Sequence, residues 1–255
     1  MIWFHTETYG ACNQGTFDMT STHMEGLGAQ ERKGSAAPLA LGGALSALGA
    51  ASVVLTSVFY VLSPPAAAGP VQPLNLAAAM SGAAGGAVTL HAAGTVGIFG
   101  DLIWATAALL IAQELGRLGR GVSSAGWIAL FLSIVIFTFV DGMTGYVFPP
   151  LAAAANASAF EGFKRLWDML FLLGTVSFGA GVVAALGADL AAARPMVGRI
   201  LAGAAIAVGL IGGLDALAGF AGVTGFPTDK IAGASIGLGS ALFVPISLRI
   251  ARART

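Results

Sequence analysis

Five side chains that could move a proton or hold a cation lie within or beside long apolar stretches: His91, Asp101, Asp141, Asp168 and Asp215. An ionisable group in hydrocarbon costs several kcal/mol unless it is neutralised or partnered, so each is a functional candidate whose partner must be named. One chemistry the set suits is proton or ion coupling, with Asp101 and Asp141 exchanging protons and His91 relaying them outward. A second is a metal site built from His91 and two of the carboxylates, an imidazole and hard-oxygen donor set. The plain alternative is that each acid is neutral or hydrogen-bonded to Ser, Thr or backbone and fixes helix packing. Asp168 has a further plain role, lying in the headgroup region beside Arg165. No spacing matches a zincin, a nucleotide loop or a nucleophile elbow, and no cofactor is called for.

These residues need helices to hold them. Of the 255 residues 56% are hydrophobic and only 9% are charged. Soluble domains carry about 25% charged residues, so the composition places the chain in a membrane. The pattern predicts an all-α polytopic protein, a six-helix transmembrane bundle occupying residues 38–255, preceded by a flexible cytoplasmic tail over 1–37. The spans are expected near Pro38–Leu62, Ala87–Gln113, Trp127–Pro150, Leu166–Leu190, Val197–Ala221 and Asp229–Ile250. The third is apolar all round until it meets Asp141, with Trp127 and Tyr146 placed as interfacial aromatics. Pro38 reads as a helix start and Pro245 as a kink. The stretch Leu74–Met80 is apolar enough to dip toward the interface. In the tail, His5, Cys12 and His23 suggest metal ligands by type, but an unstructured segment does not hold them in place. Met19 or Met24 would serve equally well as a first residue. Asn156-Ala157-Ser158 fits a glycosylation pattern that is common by chance.

The rise of about 1.5 Å per residue sets the depth of each candidate. Asp101 falls near the midplane. Asp141 and Asp215 fall roughly 10 Å inside the outer surface, and His91 and Asp168 close to that surface. Gly94, Gly97, Asp101, Ala105 and Ala108 share one helix face, so Asp101 should look at protein rather than lipid. Convergence of His91, Asp141, Asp168 and Asp215 on one cavity would favour transport or metal binding. Their dispersal to separate helix contacts would favour a scaffold.

Nine of the twelve Lys and Arg residues fall on the side of the two termini in a six-span threading; Lys164, Arg165 and Lys230 fall opposite. The positive-inside rule then predicts cytoplasmic termini. Net charge is zero and the basic residues are scattered, which argues against nucleic-acid binding. One cysteine excludes an internal disulfide. The 37 glycines suit close helix packing, within the bundle, in a homo-oligomer or against partner membrane helices, although a GC-rich genome also enriches Gly and Ala. Val96–Leu102 echoes Val208–Asp215, as inverted repeats do, but Gly-rich apolar segments also match by chance.

The segment from Ala193 through Arg194, Pro195, Met196, Val197, Gly198 and Arg199 to Leu201 is a short basic turn before a Gly/Ala-rich span. In this it resembles uncharacterised bacterial six-span membrane proteins over the layout of the last two spans. The resemblance implies an inner-membrane location and no particular activity. The residues themselves point first to a small transporter or a proton- or ion-coupled permease. A non-catalytic membrane subunit or scaffold comes second, and an enzyme third, for want of a dense polar cluster.

Overall fold

A computed structural model describes the backbone of residues 24–64, 74–223 and 228–253, with side chains from residue 37 and, in the last helix, from residue 230. The part of the tail before Met24, with His5, Cys12 and His23, lies outside the described residues. The described elements are helices: α1 (Met24–Leu62), α2 (Leu76–Gly85), α3 (Ala87–Arg117), α4 (Gly121–Gly142), a π-helical turn (Met143–Val147), α5 (Phe148–Ala153), α6 (Ala157–Ala191), α7 (Arg199–Phe220) and α8 (Thr228–Arg252). Six segments are long and apolar enough to cross a membrane, the third being Gly121–Ala153 with the π-helical turn inside it. The protein is an all-α, multi-pass membrane protein.

Local chemistry explains the boundaries. The Asn75 side chain accepts a hydrogen bond from Ala78 N at 3.0 Å and caps α2, and Asn156 accepts from Ala159 N at 3.2 Å and caps α6. The glycosylation-like triplet is thus a helix start, and α6 begins nine residues before the expected Leu166. Gly119 and Gly222, at φ 72° and 68°, turn the chain after α3 and α7, a conformation that costs glycine little. Pro38 lies inside α1 rather than at its start.

The spans form a closed ring in chain order. α1 packs on α3, α3 on α4, α4 on α6, α6 on α7, α7 on α8, and α8 returns to α1. The ring requires close approaches. A Cβ on Gly94 of α3 would stand 2.7 Å from Gly145 Cα in the π-helical turn, so the two backbones touch only because both residues are glycine. Hydroxyls bond across other seams: Ser46 to Ser247 at 2.7 Å, Ser123 to Ala185 O at 3.0 Å and Ser133 to Gly174 O at 2.8 Å. Bonds of this kind are worth about 0.6 kcal/mol each in a membrane bundle.

In the middle of the ring sits an aromatic plug. Trp104, Phe178 and Phe243, from three different spans, have ring centroids 5.5–6.2 Å apart, and Trp127 joins through Phe243 at 5.9 Å. Trp127 was expected at the interface but is only 1% exposed. The reason is that α4 starts at Gly121, so Trp127 lies nearly two turns inside the helix and faces the bundle axis. Tyr146 does lie on the surface, where its hydroxyl meets Thr95 Oγ1 at 2.9 Å.

The π-helical turn has a covalent cause. Proline has no N–H, so Pro149 and Pro150 can satisfy Gly145 O neither by an i+4 nor by an i+5 bond. His91 Nδ1 lies 3.4 Å from Gly145 O and supplies the missing donor. Its ring packs edge-on against Tyr146 with centroids 4.6 Å apart.

Candidate functional site

Asp101 and Asp141 meet at a cavity of about 560 Å³ inside the ring, between α1, α3, α4, α6 and α8. Its position follows from the seam between α3 and α4. A Cβ on Gly97 would overlap Asp141 Oδ2, so the carboxyl occupies the space left by the missing side chain. Gly97 stands one turn before Asp101 on the same face, about 6 Å along the axis, so the seam places the two acids within about one turn of each other. Asp101 is 2% exposed and Asp141 6%.

Their partners differ. Tyr60 Oη donates to Asp141 Oδ1. Asp101 Oδ2 is buried with no hydrogen-bond partner among the described residues, and so is Trp104 Nε1 in the same wall. A buried acceptor left in this way costs about 1–3 kcal/mol, which a fold tolerates where a ligand, ion or water is to arrive. Thr56 and Ser57 add hydroxyls one turn before Tyr60. The remaining wall is largely apolar, including Val53, Ile134, Phe137, Phe171, Phe178 and Ile236. Lys230, which is exposed, also lines the cavity, ten residues and about 15 Å of helix from Ser240.

The cavity is one-sided. Trp104 and Phe178 both line it and both belong to the plug, whose other members, Phe243 and Trp127, lie beyond. On α8 the lining runs from Lys230 to Ser240 and stops one turn before Phe243. The cavity therefore occupies the half of the bundle away from the start of the apolar part of α1 and the end of α8.

The other candidates go elsewhere. His91 supports Gly145 O on the outer face of the α3–α4 seam and does not line the cavity. Asp215 is buried in α7, 8% exposed, and does not line it either. Asp168 accepts from the Lys164 ammonium, itself 1% exposed and 4.5 Å from the centre of the Trp167 ring. Arg165, expected beside Asp168, also pairs with Glu161 at 2.7 Å. The Lys164–Asp168 pair is buried by α2 and α5, which fold over this end of α6 and pack Phe148 against Phe160 at 5.2 Å. The four outer-half residues do not converge, and no group of three His, Cys, Asp or Glu side chains able to hold a metal forms among the described residues.

Three participants were not singled out in the sequence: Tyr60, Lys164 and Asp189. Asp189, 2% exposed, accepts from Arg120 Nη1 at 2.9 Å, Met196 N at 3.0 Å and Val197 N at 2.9 Å, while Arg120 Nη2 donates to Arg194 O at 2.9 Å. It clamps the α6–α7 loop to the start of α4, at the end opposite the cavity. Tyr60 had a readable signal: Val53, Ser57 and Tyr60 fall on one face of an otherwise apolar helix by 3–4 spacing. No protein-family model, curated protein or solved structure matches this chain.

Proposed function

We propose that this multi-pass membrane protein is a proton- or ion-coupled transporter whose coupling residues are Asp101 and Asp141. One observation carries the proposal: an apolar cavity, whose wall runs from the exposed Lys230 at one end to Trp104 and Phe178 of the aromatic plug at the other, holds a buried carboxyl with a partnerless oxygen and a second carboxyl that has a tyrosine donor. Two carboxyls in a low-dielectric wall are held together at lowest cost when a proton or a cation sits with them. Exchange of one for the other is the elementary step of coupled transport. Tyr60 orients the Asp141 carboxyl, and the plug separates the two faces of the membrane. The charge distribution supports a bacterial inner membrane protein with both termini cytoplasmic, so that the cavity faces outward.

A scaffold role draws support from the dispersal of His91, Asp168 and Asp215. The small-residue face of α3 is spent inside the ring, however: Gly94, Gly97, Ala105 and Ala108 are all buried.

The test is a solute screen in reconstituted vesicles carrying an internal pH dye. A transported solute should drive proton movement in the native chain and none in Asp101→Asn or Asp141→Asn, with both variants folded. Solute-driven flux that survives both substitutions would overturn the proposal.

A further inference from the structure

We infer that the cavity takes a lipophilic organic cation, with its positive centre against Asp101 and Asp141 and its hydrocarbon along the apolar wall. The inference deepens the transport reading and rests on the same two-acid cavity. The charge of the ligand follows from what the acids lack. Asp101 Oδ2 is buried without a partner, and the donor found on Asp141 is the neutral Tyr60 hydroxyl. The cationic side chain in the cavity wall, Lys230, stands at the mouth, well away from the floor. A positive ligand would fill that electrostatic gap, whereas an anionic one would face two carboxyls in a low-dielectric wall.

The body of the ligand follows from the other walls. A volume of about 560 Å³ is that of an ordinary small-molecule site and far exceeds a bare inorganic ion. Val53, Ile134 and Ile236 offer hydrocarbon contact, and Phe137, Phe171 and Phe178 offer ring faces on which a desolvated cation gains further attraction. The partnerless Trp104 Nε1 is a donor in the same wall and suits an ether or hydroxyl on the ligand. An organic ammonium or phosphonium with an apolar body satisfies the acids and the walls together.

Equilibrium binding of radiolabelled tetraphenylphosphonium to the full chain in lipid nanodiscs tests this. The native chain should bind saturably, above empty nanodiscs. Asp101→Asn should weaken binding by about tenfold or more, the size of one lost charged contact. Asp101→Glu should retain most of it, and Phe171→Ala should weaken it by removing a ring from the wall while leaving the acids in place. Triphenylphosphine oxide, neutral and similar in shape, should compete poorly. Absence of saturable binding, equal competition by the neutral compound, or unchanged binding in both Asp101→Asn and Asp141→Asn would overturn the inference. The vesicle assay separates the two claims. Proton flux driven by an anionic or neutral solute and lost in Asp101→Asn, without phosphonium binding, would overturn the cation class and leave transport standing. Phosphonium binding with no solute-driven flux would do the reverse.

Discussion

Substituting Gly97 by alanine should show whether the space taken by the Asp141 carboxyl is what the α3–α4 seam is built around. The added Cβ would overlap Oδ2 and lie 3.0 Å from the Cβ of Asp141. Two responses are open. The helices can separate, at the cost of about 1–3 kcal/mol usual for overpacking. Alternatively, the carboxyl can rotate away and forfeit the Tyr60 bond, at about 1.5–3 kcal/mol for a bond to a charged acceptor. Alanine also returns about 1 kcal/mol of helix propensity. The net expectation is a loss of about 1–2 kcal/mol, well above the usual effect of a small surface change. In an Asp141→Ala background the obstacle is gone, and the remaining 3.0 Å contact needs a shift of only a few tenths of an ångström. There Gly97→Ala should be neutral or stabilising, giving a coupling energy of about 2 kcal/mol in the double-mutant cycle. Denaturant titration in mixed micelles measures all four corners. Additivity within about 0.5 kcal/mol would refute the geometry argued for the site.

Three further outcomes follow from the same structure. Asp189→Asn should destabilise by about 3 kcal/mol, the low end for a broken buried pair because Arg120 keeps some water, and should loosen the α6–α7 loop to hydrogen exchange; full protection of Met196 and Val197 amides would contradict it. Trp167→Phe removes the donor to Val140 O at 3.1 Å and Thr144 Oγ1 at 2.8 Å, and should lower stability by about 1–3 kcal/mol in thermal unfolding, whereas an unchanged midpoint would show that the π-helical turn does not depend on it. His91→Ala should cost under about 1 kcal/mol, since the side chain is exposed and its bond to Gly145 O is long, and should leave solute-driven proton flux intact; loss of flux with normal folding would restore His91 as a relay.

The spans were legible because hydrocarbon enforces them: a run of about 20 apolar residues has few alternatives to a membrane helix. The burial of Asp101 was legible for a related reason, since a 3–4 stripe of Gly and Ala beside an acid points the acid at a neighbour. What remained hidden depended on which helix that neighbour was. Asp101 and Asp141 read as lying at nearby depths on separate helices, but nothing in the sequence showed that the space at Gly97 seats one acid about a turn from the other. Trp127 looked interfacial until the true start of α4 placed it in the plug. The burial of Lys164 beside Asp168 stayed unread because the cover supplied by α2 and α5 has no signature near Lys164 itself. The partnership of His91 with Gly145 could have been inferred in part: Pro149 and Pro150 announce an unsatisfied carbonyl at Gly145, but not which side chain answers it.

The central claim is that one cavity, closed at its floor by the plug, gives the two acids access to each face of the membrane in turn. Ser57, a half-buried lining residue on α1, reports this directly when replaced by cysteine in a Cys12→Ser background. A membrane-impermeant thiol reagent should label Ser57→Cys rapidly from the face carrying Lys230, and more slowly but measurably from the opposite face, as the plug opens in turnover. Labelling from the Lys230 face alone, under every condition in which the protein is folded and lipid-embedded, would contradict the account and mark the cavity as a static feature of a scaffold.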